Sequence, residues 1–451
     1  MKIKTLPYTI TLLTLTIIML NILFPYTRTV YADSTIYIRS DGSIDPSTAP
    51  IQRVGNTYTF TADINDRIII ERDNIILNGN SYKLVGAGAS YGIYFENRNN
   101  VTIRNVYITG FKYGIYLKLS TNCKIDCNWL DSNELGGIWI GESTNNEITN
   151  NAIIYSYAGI LLTWSNNTNI VANNVVRNNQ LGLLLIVSNN NIIRDNVISK
   201  SSIGGIYLDR SHNNLIYHNN MLSNTPQVVI SDAINTWDDG YPPGGNYWSD
   251  YTGTDGNGDG IGDTPYTIDE NNKDRYPLMN IRGVHDVAVN TLTISKTVIG
   301  QGYPATITVT VQNKGDLTQI FNTHILANTT IIQTITTYLQ SGQSKTIIIK
   351  WTTTNWKKGT YEIYSLVDRV PGETDQQAED NIIIYGYVKV TVPGDIDGDR
   401  DIDIYDIVVI ASAYGAKIGE SRYVPNADID GNGEINIYDA VIAASRYGTR
   451  E

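Results

Sequence analysis

A unit of about twenty-three residues is written six times through the middle of this chain, a period that signals a stacked-repeat architecture. A glycine followed by an apolar triplet recurs at Gly92, Gly114, Gly137, Gly159, Gly182 and Gly205, and an asparagine recurs in step at Asn105, Asn128, Asn151, Asn174, Asn196 and Asn219. Landmarks that hold register over six turns, joined by short β-rich stretches and Asn/Gly corners, predict a parallel β-solenoid with one coil per repeat.

Strand side chains alternate between faces, so the first and third positions after each glycine share one. They read Ile93, Ile115, Ile138, Ile160, Leu183, Ile206 and Phe95, Leu117, Ile140, Leu162, Leu185, Leu208, which makes that face the inward one. A further aliphatic column, Ile103, Ile125, Ile148, Ile170, Ile193 and Leu215, is assigned to a second wall. Each such residue, fully buried, stabilises by roughly 1.5–3 kcal/mol, so like stacks on like. The asparagines are expected to be structural, since an amide can donate to one neighbouring coil and accept from the other.

The second position must then point outward, and it reads Tyr94, Tyr116, Trp139, Leu161, Leu184 and Tyr207. With coils ~4.8 Å apart these form a continuous apolar stripe. Two uses stand open: a platform on which sugar rings stack, with Tyr94, Tyr116, Trp139 and Tyr207 as candidate carbohydrate-binding residues, or a patch covered by another domain.

The repeats, with Asp73-Asn-Ile-Ile-Leu-Asn-Gly-Asn80 ahead of them, resemble the NosD-type, or CASH-domain, right-handed β-helix proteins of prokaryotic surfaces. The stretch from Gly245-Asn-Tyr-Trp-Ser-Asp-Tyr251 to Tyr276-Pro-Leu-Met279 is similar to the C-terminal segment of that family. The resemblance implies the fold over roughly residues 36 to 280 and leaves activity open between carbohydrate binding and polysaccharide cleavage. That family is also tied to copper delivery, but His212, His218, His285 and His324 are scattered and form no soft cluster with Met or Cys.

At 451 residues several domains are expected. Residues 1–32 read as a signal peptide: Lys2 and Lys4, an apolar run from Leu12 to Phe24, and Val30-Tyr31-Ala32 as the cleavage site. An uncleaved anchor is the alternative. The β-helix is assigned to 33–282, a β-sandwich to 284–392 and a small helical module to 394–451. A net charge of −12 argues against a nucleic-acid partner. Cys123 and Cys127 lie too close together on one coil to staple much and are read as free thiols.

Three segments place oxygen side chains at alternate positions, the pattern of a calcium loop. Asp255-Gly-Asn257-Gly-Asp259-Gly-Ile-Gly-Asp263 is expected to cap the solenoid's last coil. Asp395-Ile-Asp397-Gly-Asp399-Arg-Asp401-Ile-Asp403-Ile-Tyr-Asp406 and Asp428-Ile-Asp430-Gly-Asn432-Gly-Glu434-Ile-Asn436-Ile-Tyr-Asp439 are twelve-residue loops spaced thirty-three apart. Asp401 and Glu434 stand at position 7, which would give its main-chain carbonyl, and a hydrophobe at position 8, Ile402 or Ile435, couples each loop to a core. Helical patterns follow over Ile407 to Tyr414 and Ala440 to Tyr447, each ended by a glycine. This duplicated loop–helix unit resembles a type I dockerin, which implies bound calcium and a cohesin-like partner facing Ile404-Tyr405 and Ile437-Tyr438. Arg400 stands where position 6 expects glycine.

Between these regions, short strands at Val287–Val289, Ala305–Val311, Ser344–Trp351, Gly359–Val367 and Ile382–Val392 predict an Ig-like sandwich. Asp286-Val-Ala-Val289, Val311-Gln-Asn-Lys-Gly315 and Glu379-Asp-Asn381 look like a CARDB-type module. The combined reading is an exported, calcium-dependent surface or secreted protein whose β-helix engages a polysaccharide or glycoconjugate. A polysaccharide lyase or glycoside hydrolase is the rival, with Glu134, Glu142 and Asp209 as the nearest acids to a catalytic set and no assigned catalytic residue.

Overall fold

The computed structural model describes residues 34–450 apart from 89, 168, 169 and 173, so the expected leader lies outside the described residues. Among those described, no helix is long and apolar enough to cross a membrane. The chain forms two units, one ending at Arg282 and one starting at Gly283.

The first unit is the solenoid. One coil contributes Tyr113–Lys118, Lys124–Asp126 and Trp129–Asp131, which pair in parallel with Gly136–Gly141, Glu147–Thr149 and Ala152–Ile154 of the next. At its start, Ile44–Asp45 and Ile51–Val54 add antiparallel pairings that close off the first strands, protecting an edge that would otherwise recruit other chains.

Both inward columns after the glycines are fully buried and pair residue on residue. The second wall differs from expectation in two coils: Ile148 pairs with Val171 and Ile193 with Ile216, so Val171 and Ile216 hold the inward places expected of Ile170 and Leu215. Both strands are apolar at adjacent positions, Ile170-Val171 and Leu215-Ile216, so alternation alone does not set their phase.

The glycine column is a packing requirement. A Cβ at Gly92, Gly114, Gly137, Gly159 or Gly182 would sit 2.4–2.8 Å from the carbonyl oxygen of the next coil's glycine. The strand ladder passes over this crowded position, pairing Tyr91 with Tyr113 and Ile93 with Ile115.

Asn128, Asn151, Asn174, Asn196 and Asn219 form a buried amide ladder. Each Nδ2 donates to the Oδ1 of the next, as from Asn174 to Asn196 (3.0 Å) and from Asn196 to Asn219 (2.9 Å). The ladder continues to Asn246 (2.9 Å), whose backbone N–H donates to the Asp274 carboxylate (2.7 Å). Asn105 is not a rung, contrary to expectation. It takes a left-handed backbone (φ 55°) one residue before the rung position, where Val106 has no side-chain amide and its backbone N–H donates to Asn128 Oδ1 (3.2 Å).

In the second unit the sandwich pairs a three-stranded sheet (Val287–Ile294, Pro304–Asn313, Ser344–Thr352) with a five-stranded one (Val298–Gly300, Ile382–Thr391, Gly359–Val367, Gln319–Ala327, Thr330–Leu339). The Gln319–Leu339 hairpin was not expected. Asn328 turns it in the left-handed region (φ 52°), and an Asn-Thr-Thr turn is a weaker signal than Asn-Gly. Two helices, α1 (Ile404–Ser412) and α2 (Ile437–Ala444), complete the unit.

Candidate metal centres and an outer aromatic stripe

Each acidic loop is built by its own first and last carboxylates. Asp395 accepts from the backbone N–H groups of Gly398 (2.6 Å) and Arg400 (3.0 Å), and Asp428 from those of Gly431 (3.0 Å) and Gly433 (3.0 Å). Asp406 ties the loop's start to its helix, accepting from Ile396 N–H (2.6 Å) and Asp403 N–H (2.9 Å). Asp439 repeats this with Ile429 (2.7 Å) and Asn436 (2.9 Å). Asp403 and Asn436 in turn cap α1 and α2 by accepting from Tyr405 N–H (2.7 Å) and Tyr438 N–H (2.8 Å). Capping explains why both helices begin three residues earlier than the apolar spacing predicted.

Ile402 and Ile435 are buried. They cross-link the duplicates: Ile402 N–H donates to Thr449 beyond α2 (3.0 Å), and Ile435 N–H to Ala416 beyond α1 (2.9 Å). Gly415 and Gly448, after the helices, are both left-handed (φ 79° and 81°), as a helix end favours. At position 6 the second loop has Gly433 at φ 90°, and the first holds Arg400 at φ 83°.

Three carboxylate groups come together here, with oxygens within 4.8 Å of one another: Asp395/Asp397/Asp399, Asp401/Asp403/Asp406 and Asp428/Asp430/Asp439. Burial pushes the carboxyls of Asp395, Asp406 and Asp439 above the usual range, against the pull of their N–H donors. Asp401 Oδ1 is buried without a hydrogen-bond partner. Oxygen-only clusters of this kind suit a hard cation, and an orphaned buried oxygen fits one. Asn432 hydrogen-bonds Asp430 (2.9 Å), and Glu434 pairs with Lys417 (3.5 Å) at the loop's edge.

Residues 255–263 form a third acidic loop with the same pattern of backbone donors. Asp255 is satisfied by the N–H groups of Gly258 (2.7 Å) and Gly260 (2.9 Å), Asp259 by that of Ile261 (2.9 Å) and Asp263 by that of Gly256 (2.7 Å), with Asn257 donating to Asp259 (3.0 Å). Its carboxylates are not among the groups of three that converge among the described residues. The histidines are engaged by protein: His218 with the Pro243 carbonyl (2.9 Å), His285 with Gln319 (2.9 Å), His324 with Asp368 (2.9 Å) and His212 with Ile234 N–H (3.3 Å).

Sequence reasoning missed what the loops rest on. Lys296, buried in the sandwich, donates to the carbonyls of Asp428 and Ile429 (3.1 Å to the latter). Lys389 donates to the Gly398 carbonyl. Asn426 Oδ1 accepts from the N–H groups of Thr297 (3.0 Å) and Val298 (3.2 Å), while its amide donates to Ile396 (3.1 Å). A lone lysine between strands carries no pattern that marks such a role.

On the solenoid, the outward column is covered by its own neighbours. Passing over the glycine brings the preceding residue onto the same outer face, so Tyr91 and Tyr113 lie beside Tyr94 and Tyr116. The rings stack along the solenoid, with Tyr116 and Trp139 centroids 4.2 Å apart at 15°. Tyr116 and Tyr207 are buried, and Leu161, Leu184 and Tyr207 form a second, external cluster with Ala158 and Leu181. Ring faces are therefore spent on one another, and polar edges line the stripe: the Tyr94 hydroxyl donates to Glu96 (2.7 Å) and Trp139 Nε1 to Thr163 (2.9 Å). Lys118 bridges Glu96 (3.6 Å) and Glu142 (3.5 Å). Asp209 is buried and paired with Arg210 (2.9 Å), and Glu134 is exposed.

The chain is thus a parallel β-solenoid followed by a β-sandwich carrying paired acidic loop–helix units. Residues 52–253 match the family model described as periplasmic copper-binding protein (NosD). The CARDB domain of the PF1109 protein from Pyrococcus furiosus, solved in complex with di-metal ions, is similar at 23% identity and a TM-score of 0.21, covering 24% of this chain and 94% of that one. A domain of a putative cell surface protein from Methanosarcina acetivorans is similar at 23% identity and a TM-score of 0.20, covering 24% and 92%. No curated protein matches the chain.

Proposed function

We propose that this is an exported surface or secreted protein whose C-terminal loops bind two calcium ions and present a docking face for a cohesin-like partner. The observation that carries the reading is the pair of preformed loops, whose carboxylates gather with oxygens within 4.8 Å of one another, in two groups along the first loop and one in the second, each group including at least one buried acid. Calcium takes six to eight oxygens, which carboxylates and the position-7 carbonyls of Asp401 and Glu434 supply here. Docking rests on symmetry: Tyr405 is 70% exposed and Tyr438 68%, and Ile404, Val408, Ile437 and Val441 are exposed at matching positions. Duplicated apolar side chains on helices held by metal loops suit a protein partner.

The test is capture of immobilised cohesin domains by the full chain. Binding in calcium that is lost in EDTA, and lost again in the Tyr405→Ala/Tyr438→Ala double variant, supports the reading. Equal capture with and without calcium refutes it.

A second reading, a polysaccharide or glycoconjugate lying along the solenoid, is favoured by the polar edges of the stripe. Because ring faces are already stacked, contact falls on Glu96, Lys118, Glu142 and Thr163 beside Tyr94 and Trp139. Glycan-array binding that survives Lys118→Ala and Glu142→Gln together would refute that placement. Product release from the same glycans would instead favour the lyase or hydrolase alternative.

A further inference from the structure

Lys296 stands where a calcium loop gains nothing from a lysine. The residue is 4% exposed, and its ammonium donates to the carbonyls of the second loop's first two residues, Asp428 and Ile429. The charges it faces are Asp428, Asp430 and Asp439, with Lys350 the one like charge among its principal neighbours. Those are the three acids whose oxygens lie within 4.8 Å of one another. A buried cation from the sandwich therefore already addresses the cluster that a metal ion would fill.

We infer that Lys296 is a resident counter-charge of the second loop: it holds the loop on the sandwich in the calcium-free chain and lowers that loop's affinity for calcium. This rests on the calcium reading above and extends it. Two effects compete, and their difference decides the sign. The bonds to the Asp428 and Ile429 carbonyls concern the outside of the loop and are available with or without the ion, and an interaction equal in two states shifts neither. The charge term is not equal. Without calcium the ammonium is attracted by three carboxylates, and with calcium it meets a divalent cation in a site shielded from water, where repulsion is strong. The net effect favours the calcium-free loop. Lys389, on the Gly398 carbonyl, is the corresponding group at the first loop.

The experiment is a calcium titration of the full chain against a competing chelator, with amide hydrogen exchange in EDTA as the second readout. Lys296→Gln keeps an N–H donor and removes the charge. It is expected to tighten one of the two sites at least tenfold and to speed exchange of the Thr297 and Val298 amides, which donate to Asn426, at least tenfold in EDTA. Lys296→Arg keeps the charge and should leave the affinity within about threefold, and Lys357→Met, at an exposed position, should change neither readout. Two ions bound by Lys296→Gln with unchanged or weaker affinity would overturn the inference and leave the calcium reading standing. A native chain that binds no calcium would overturn both.

Discussion

The solenoid and the C-terminal loops both repeat a buried polar residue at each unit, and they satisfy it in opposite ways. An asparagine amide donates and accepts, so each rung completes its neighbour and the array grows without charge. It stops at Asp274, whose carboxylate takes the last N–H of Asn246 and the Trp248 indole (2.8 Å). A carboxylate only accepts, so stacking aspartates in a loop accumulates charge that backbone N–H groups cannot cancel. The amide ladder is self-sufficient; on the calcium reading proposed above, the charge of the loops is met by a cation, from solution or from Lys296 and Lys389.

The largest effect expected from that contrast is on chelation. With calcium at a thousandfold over its dissociation constant, each occupied loop gains about 4 kcal/mol. EDTA should lower the melting of the α1–α2 module sharply and leave the solenoid's transition unmoved, read by amide exchange of the two regions.

Breaking the ladder comes next. Asn196→Ala removes the acceptor for both the backbone N–H and Nδ2 of Asn174 (3.0 Å each). Nδ2 keeps the Ile148 and Ala172 carbonyls (2.9 and 3.1 Å), so the stranded backbone N–H sets the cost, about 1–3 kcal/mol. Chemical denaturation of the solenoid should register this loss in calcium and EDTA alike.

Asp274 sharpens the comparison through pH. Burial lifts its carboxyl to about 6, against the N–H groups of Asn246, Trp248 and Tyr276. The folded chain therefore binds the proton more tightly than the unfolded one. That contribution is full below pH ~4 and is lost as pH rises through about 6, up to roughly 3 kcal/mol. Solenoid stability measured across that window should fall, and Asp274→Asn should flatten the slope.

The smallest effect belongs to Arg400. A non-glycine at φ 83° is strained, and Arg400→Gly should stabilise the first loop by about 1 kcal/mol, seen as a raised melting temperature of the module.

Much of the architecture was legible because repetition over-determines it. The columns through Ile93 and Phe95 could be read from six copies, whereas Ile170 and Leu215 misled because two adjacent apolar residues leave the phase to tertiary packing. The loops were legible from alternate oxygens, and in the structure Asp406 and Asp439 tie each loop's start to its helix through backbone N–H groups. What stayed hidden were contacts between distant segments: Lys296 and Asn426 lie far from their partners in sequence and carry no local pattern. The stripe was legible in part. Alternation gave its direction correctly, but not that Tyr91 and Tyr113 fold over beside it and use up its ring faces.

The central claim is that the paired C-terminal loops are cation sites, each closed by its own last carboxylate. Native mass spectrometry of the full chain with increasing calcium tests it most directly. Loss of one bound ion relative to the native chain in Asp439→Ala, and of one in Asp406→Ala, is the predicted result. An ion count unchanged from the native chain in both variants, or no bound ion at saturating calcium, would contradict it.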